Sequence, residues 1–118
     1  MFDQSFLEMR RKVLEEEKRE EEKWRTEALS KAKAVAKWLK ENYTIKDVYL
    51  YGSLAWGGFG KHSDIDILVQ GFKDKEHYWQ MQSGAENIAR PFELNLLCKE
   101  EVPPALWRKV KAKGIRLT

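Results

Sequence analysis

The first 42 residues of this 118-residue chain contain neither glycine nor proline. Alanine, leucine, glutamate, lysine and arginine dominate them, and this composition strongly favours a helix. Ser5 followed by Glu8 predicts a capping box, so that the helix would begin near residue 5. A continuous helix would be roughly 55 Å long at about 1.5 Å per residue, longer than one domain of this size. We therefore expect its first half to project from the domain, or to break and fold back.

Four apolar residues near the start of the chain are spaced by four, three and four positions, which places them on one helix face. This apolar seam consists of Phe2, Phe6, Met9 and Val13. It ends at residues 15–23, EEEKREEEK, which are polar on every side and therefore cannot be buried. Two interpretations stay open: a solvated arm, or a helix that uses the seam to bind a partner or a second copy of the chain.

A second apolar stripe begins at Trp24 and predicts where the helix packs on a sheet. It continues through Ala28, Ala32, Val35 and Leu39. We therefore divide the chain into a charged helical extension, residues 1–23, and a domain, residues 24–118.

Three short runs rich in β-branched and aromatic residues predict strands. They span residues 46–52, 64–70 and 91–98, and the last four residues predict a further short strand. Residues 73–90 predict a helix with a break or cap at Gly84, and a proline pair followed by a basic run predicts another helix before Gly114. The expected fold class is α/β (α+β): a small mixed β-sheet of three to four strands with helices packed on one face, preceded by a long N-terminal helix.

Two aspartates stand on the second predicted strand and share one face, because side chains alternate along a strand. Asp64 and Asp66 would lie roughly 6.6 Å apart along it. Neighbouring carboxylates repel each other, and partial burial raises the cost. A bound divalent cation removes both penalties, and Mg²⁺ prefers such oxygen ligands. The pair therefore predicts a metal site.

The third predicted strand carries Glu93 and Asn95 on one face and apolar residues on the other. If this strand lies beside the second, Glu93 would complete a three-carboxylate site with the two aspartates. Such a site can hold two metal ions and support an in-line displacement at phosphorus.

A glycine-rich connection precedes the aspartates. Gly52 lets the backbone approach a phosphate closely, and the Ser53 hydroxyl with free N–H groups would form an anion site. The structural alternative is a hairpin connection in which Asp64 caps a turn, but it leaves Asp66 and Glu93 unexplained. The two features together predict a site for a nucleotide–metal complex.

Gly52, Ser53 and the aspartate pair form the pattern G-S-x10-D-x-D. This pattern resembles the signature of the minimal nucleotidyltransferase (MNT) domains of the DNA polymerase beta-like nucleotidyltransferase superfamily. The resemblance covers roughly residues 28–118, and it implies an enzyme that uses two Mg²⁺ ions and ATP. It implies that Gly52 and Ser53 contact the triphosphate and that Asp64 and Asp66 bind both metals. Glu93 would hold the catalytic metal and help to deprotonate the acceptor hydroxyl.

Small relatives of this kind often pair with HEPN-domain proteins as toxin–antitoxin systems. The resemblance therefore implies an antitoxin that transfers AMP to the hydroxyl of a tyrosine of a HEPN toxin. Leu54 and Trp56 stand where many relatives carry arginine, which leaves phosphate neutralisation to Lys61 or the backbone. Glu93 stands where aspartate is usual. The alternative is a catalytically weak or inactive MNT-fold antitoxin that neutralises its partner by binding alone. Transfer to a small molecule or to RNA ranks third, because the chain is short for an acceptor-binding domain.

The remaining composition bounds the setting of the protein. A formal net charge of +3 neither requires nor excludes nucleic acid, so RNA stays open as a partner, as does a homodimer. Cys98 lies in an apolar run, which predicts a core position. It is the only cysteine, so no disulfide can form within the chain, and this favours the reducing cytoplasm. No run is long and apolar enough to predict a membrane span.

Overall fold

The computed structural model describes residues 3–118, which form four helices and a four-stranded sheet. The helices are α1 (Gln4–Asn42), α2 (Ser53–Trp56), α3 (Tyr78–Ala89) and α4 (Pro104–Lys113). The strands are β1 (Asp47–Tyr51), β2 (Ile65–Gln70), β3 (Leu94–Cys98) and β4 (Ile115–Arg116). Short 3-10 turns at Lys75–His77 and Lys99–Glu101 precede α3 and α4. Within this part of the chain no helix is both long and apolar enough to cross a membrane.

Helix α1 is continuous over 39 residues and projects from the domain, which is the first of the two expected arrangements; it does not break and fold back. Its first residue lies near the expected start, but the cap is Asp3 rather than Ser5: the Asp3 carboxylate accepts a hydrogen bond of 2.9 Å from the Phe6 amide. A carboxylate two positions earlier satisfies the same kind of free amide that Ser5 would have satisfied, so the helix extends to it. Every described residue before Trp24 is exposed.

The apolar seam lies on this projecting part of α1. The side chains of Phe6, Met9 and Val13 are 44%, 67% and 48% exposed, whereas Phe2 lies outside the described residues. Leu7 and Leu14 widen the exposed apolar surface. The domain begins to hold α1 at Trp24, whose ring packs edge-on against Phe92.

The sheet has the order β3-β2-β1-β4 and is mixed, which confirms the expected fold class. Strand β1 pairs antiparallel with β2 and β4, and β2 pairs parallel with β3. The main core lies between one face of the sheet and helices α1 and α3, and it includes Cys98, as predicted. The expectation that all helices pack on one face is wrong for α4, because Val110 packs with Tyr51 and Leu68 on the other face.

Gly84 lies in the middle of α3, so the predicted break or cap at this glycine is wrong. The glycine makes room for the indole of Trp38 on α1: an added Cβ atom would lie 2.6 Å from Trp38 Cζ2. The missing side chain thus lets two helices approach closely, which local sequence could not reveal.

Replacing Gly84 with alanine is expected to lower the free energy of unfolding by about 1 kcal/mol, because the clash with Trp38 outweighs the better helix propensity of alanine. Urea denaturation measures the change. Ser83→Ala is the matched control, since Ser83 is exposed on the same helix, and it should be neutral or slightly stabilising. A more stable Gly84→Ala protein would contradict the packing role of this glycine.

Candidate active site

The turn that follows β1 touches the aspartate pair directly. Gly52 has a φ of +73°, a conformation that residues with a side chain rarely adopt. A Cβ atom at this position would overlap the carboxylate of Asp66. The β1–β2 register explains this contact, since Tyr51 lies opposite Asp66 in the antiparallel pair. The structure therefore brings the Gly-Ser turn and the Asp-x-Asp pair to one point.

The connection between β1 and β2 begins with a single helical turn, α2, which starts at Ser53. The amides of Ala55 and Trp56 both donate to the carbonyl oxygen of Gly52. Gly57 and Gly58 then take φ values of +115° and +85°, which lets the chain turn back towards Asp64.

The side chain between the two aspartates is Asn95. Its amide nitrogen lies 2.9 Å from Asp66 Oδ1 and 3.2 Å from Asp64 Oδ2. In the parallel pairing of β2 with β3, Asn95 stands directly beside Asp66. Sequence reasoning placed Asn95 on the right face but gave it no role, because alternation defines a face and not the register between strands.

Glu93 immediately precedes β3, and its carbonyl oxygen accepts a hydrogen bond of 2.9 Å from the Ile65 amide. Its exposed side chain lines a cavity of about 270 Å³. Trp24, Lys61, His62, Ser63, Asp64, Pro91 and Phe92 complete the walls of this cavity. The cavity therefore joins Glu93 and Lys61 to Asp64 at the place where α1 leaves the domain.

A metal ion fits the aspartate pair by the chemistry of the donors. Asp64 and Asp66 supply carboxylate oxygens on one face, held together by a single amide, and such oxygens are the ligands that Mg²⁺ prefers. Across residues 3–118, however, no group of three histidine, cysteine or acidic side chains is arranged to hold a metal. Glu93 thus shares a cavity with Asp64 without forming a three-carboxylate cluster.

The surroundings of Asp66 make ionisation of its carboxyl group less favourable than it is in water. Burial raises the pKa of Asp66 above its ordinary value, the Asn95 hydrogen bond opposes this change, and the charge of Asp64 adds to it. Burial, assisted by the negative charge of Asp66, also raises the pKa of Tyr51 to about 12. The negative charges of Asp64 and Asp66 contribute to these two changes after burial, and a bound cation would relieve that repulsion.

The Asp66→Asn protein is expected to be more stable than the wild type at neutral pH, by less than about 1 kcal/mol because the side chain is only partly buried. A raised carboxyl pKa favours folding below the unfolded-state pKa, near 3.8, and this contribution is lost as the pH rises through the folded-state pKa. The advantage of asparagine should therefore shrink as the pH falls towards 3.8. Urea denaturation at neutral pH and near pH 4 measures it. A less stable variant at neutral pH would contradict this account.

Trp56, at the end of α2, contacts side chains of two other elements. Lys109 of α4 lies over its ring, 4.3 Å from the centroid, and the Tyr51 ring lies 6.2 Å away. The indole is still 36% exposed. It therefore links α2, β1 and α4 next to the aspartate pair.

Comparison with known proteins identifies the class of enzyme. Residues 33–118 match the family described as "Polymerase beta, Nucleotidyltransferase". Because this match covers most of the chain, the protein belongs to the polymerase beta nucleotidyltransferase family. The predicted enzyme class is thus confirmed.

One relative is the Methanocaldococcus jannaschii protein named "Putative protein adenylyltransferase MJ1215". It is 32% identical over 68 residues, which cover 56% of this chain and 78% of the relative.

The solved structures that are similar include toxin–antitoxin complexes. A crystal structure of a toxin–antitoxin with AMP-PNP has a TM-score of 0.62 at 25% identity, covering 75% of this chain and 72% of the other. A complex of a tri-AMPylated Shewanella oneidensis HEPN toxin with an MNT antitoxin has a TM-score of 0.59 at 21% identity, covering 77% and 71%. The latter likeness concerns the fold.

Proposed function

We propose that this protein transfers AMP from ATP to a hydroxyl group of a partner protein, and that the partner is a HEPN-type toxin whose tyrosine is modified. The observation that carries the proposal is the approach of the Gly52 backbone to the Asp66 carboxylate. It brings a phosphate-binding type of turn and a metal-binding type of carboxylate pair to one point. The family match and the adenylyltransferase relative support the reaction class. The toxin–antitoxin structures suggest the class of partner.

In the proposed reaction, the acceptor hydroxyl oxygen forms a bond to the α-phosphorus of ATP. The bond from that phosphorus to the oxygen bridging to the β-phosphate breaks, and pyrophosphate leaves. The hydroxyl proton passes to the carboxylate of Glu93, which lines the cavity beside Asp64. ATP and the hydroxyl group of the partner protein together supply every atom of this step.

Each proposed site residue has a role that its position permits. Asp64 and Asp66 would hold Mg²⁺, which would neutralise charge on the phosphates. Gly52 and Ser53 receive the phosphates at the turn after β1, and Lys61 supplies a positive charge from the cavity wall. Because ATP and a reducing environment are found together in the cytoplasm, the proposal places the protein there.

A second candidate function is neutralisation of the same partner by binding alone. The exposed apolar side chains on the projecting part of α1 favour it, since a helix face of this kind fits an apolar groove. Transfer would then depend on the aspartate pair and binding on the apolar seam. Substitutions in one part of the molecule can therefore separate the two functions.

To test the proposal, the tagged full chain is purified together with the proteins that bind it. The preparation is then incubated with Mg²⁺ and each nucleoside triphosphate in turn. Intact mass spectrometry should show a partner that gains one or more nucleoside monophosphates, with ATP as the donor and only when Mg²⁺ is present. Omission of Mg²⁺ and replacement of ATP by a triphosphate that cannot be cleaved at the α-phosphorus are the controls. A neutralised partner whose mass never changes would support binding alone and refute the transfer reaction.

A further inference from the structure

We propose that Asn95 occupies the third metal-ligand position of this site in place of a carboxylate, so that the chain holds one divalent cation firmly and a second only weakly. The inference rests on the proposed function, since it concerns the cation that accompanies a triphosphate. It changes the expectation of two firmly held metal ions, because one of the three ligand residues of this chain is not a carboxylate.

The register of the sheet identifies the third position. Asp66 and Asn95 are directly paired in the parallel ladder of β2 and β3, and both side chains lie on the same face. Glu93, two residues earlier, stands beside the start of β2 and is bonded there through its backbone. Of the two polar residues of this face, Asn95 is therefore the one that adjoins both aspartates.

The hydrogen bonds define how Asn95 serves the pair. Ionised carboxylates only accept hydrogen bonds, so the NH₂ group must be the part of Asn95 that faces Asp64 and Asp66. The amide then draws the two carboxylates together before any cation arrives. Its other end, the carbonyl oxygen, is a neutral ligand of the kind that divalent cations accept. Asn95 is thus a positioning residue for the first cation and a weak donor for another.

The charge of the pocket limits how many cations it can hold. Two aspartates supply two negative charges, which match one divalent cation. A second firmly held cation would need an anionic ligand besides the two aspartates and the triphosphate, and Asn95 supplies none. Glu93 does not complete the set, because residues 3–118 contain no assembled group of three acidic ligands.

Equilibrium dialysis with Mn²⁺ tests the proposal on the full chain, in the presence of a triphosphate with a methylene group between its α- and β-phosphorus atoms. We expect one tightly held Mn²⁺ per wild-type chain. In Asn95→Asp, which makes three adjacent carboxylates, the dissociation constant of a second Mn²⁺ should fall about tenfold or more. Glu93→Gln is the matched control and should keep the wild-type count.

Thermal melting gives a second readout that needs no nucleotide. Asn95→Asp should melt below the wild type in EDTA, since it replaces a hydrogen-bond donor with a third negative charge. Mg²⁺ should raise its melting temperature more than it raises that of the wild type. Equal effects of Mg²⁺ on both proteins would overturn the proposal.

The outcomes separate this inference from the proposed function. Two equally tight Mn²⁺ ions in the wild type, one of them lost in Glu93→Gln, would make Glu93 the third ligand and overturn the role of Asn95 while leaving the transfer reaction intact. This comparison decides the question even if Asn95→Asp fails to fold. Wild-type protein that retains no Mn²⁺ with the triphosphate would refute both the inference and the metal-dependent transfer.

Discussion

The Asp64→Asn, Asp66→Asn double variant is expected to lose transfer of AMP by at least about a thousandfold while it remains folded. The two substitutions keep the volume of each side chain but remove both charges that would hold a cation. The asparagine oxygens can still accept the hydrogen bonds that Asn95 donates to both positions. Loss of the mutual repulsion should leave stability unchanged or slightly improved.

Transfer of label from α-labelled ATP to the co-purified partner measures this effect, and circular dichroism checks the fold. Asp74→Asn is the matched control: it makes the same change at an exposed carboxylate that is paired with His77, away from the pair. It should keep wild-type transfer. A double variant that still modifies the partner would show that the reaction does not occur at these aspartates.

Replacement of Gly52 by alanine is expected to destabilise the protein by about 2–4 kcal/mol and to abolish transfer. Two costs act together at this position. The backbone has a φ of +73°, which strains any residue with a side chain, and the new methyl group would overlap the Asp66 carboxylate. Relief of the overlap must move the turn or the aspartate, and either movement separates the phosphate-binding turn from the metal ligands.

Urea denaturation and the labelled-ATP assay on the same preparations measure both effects. Gly60→Ala is the control, because a Cβ atom there meets nothing within 4 Å and its φ is not among the positive values of the glycines. It should change neither stability nor transfer by much. A stable and active Gly52→Ala protein would show that the close approach of the turn to Asp66 is not required.

The local elements could be predicted from the chain because their signals are local. Absence of glycine and proline predicted α1, β-branched and aromatic runs predicted the strands, and the spacing from Gly52 to Asp66 predicted where the candidate site lies. The predicted cap of α1 was wrong because two nearby residues could each cap the helix. Asp3 rather than Ser5 caps α1, since either side chain can satisfy a free amide at the helix start.

The role of Glu93 illustrates a different limit. Alternation along a strand placed Glu93 and Asn95 on one face, but both residues satisfied that condition equally well. Which of the two lies beside Asp66 depended on the pairing of Asp66 with Asn95, two residues that are 29 positions apart in the chain. Likewise, Gly84 was mistaken for a break because its reason, the Trp38 indole, belongs to another helix.

Sequence alone determined the periodicities, the turn residues and the kinds of donor present, because each depends on a residue and its near neighbours. Tertiary structure decided which of these groups meet, with Asn95 beside the aspartates and Glu93 on the cavity wall. It also placed α4 on the opposite face of the sheet. The physical reason is that strand register and helix placement are set by burial of side chains from distant segments, and a shift in register would exchange the residue that adjoins Asp66.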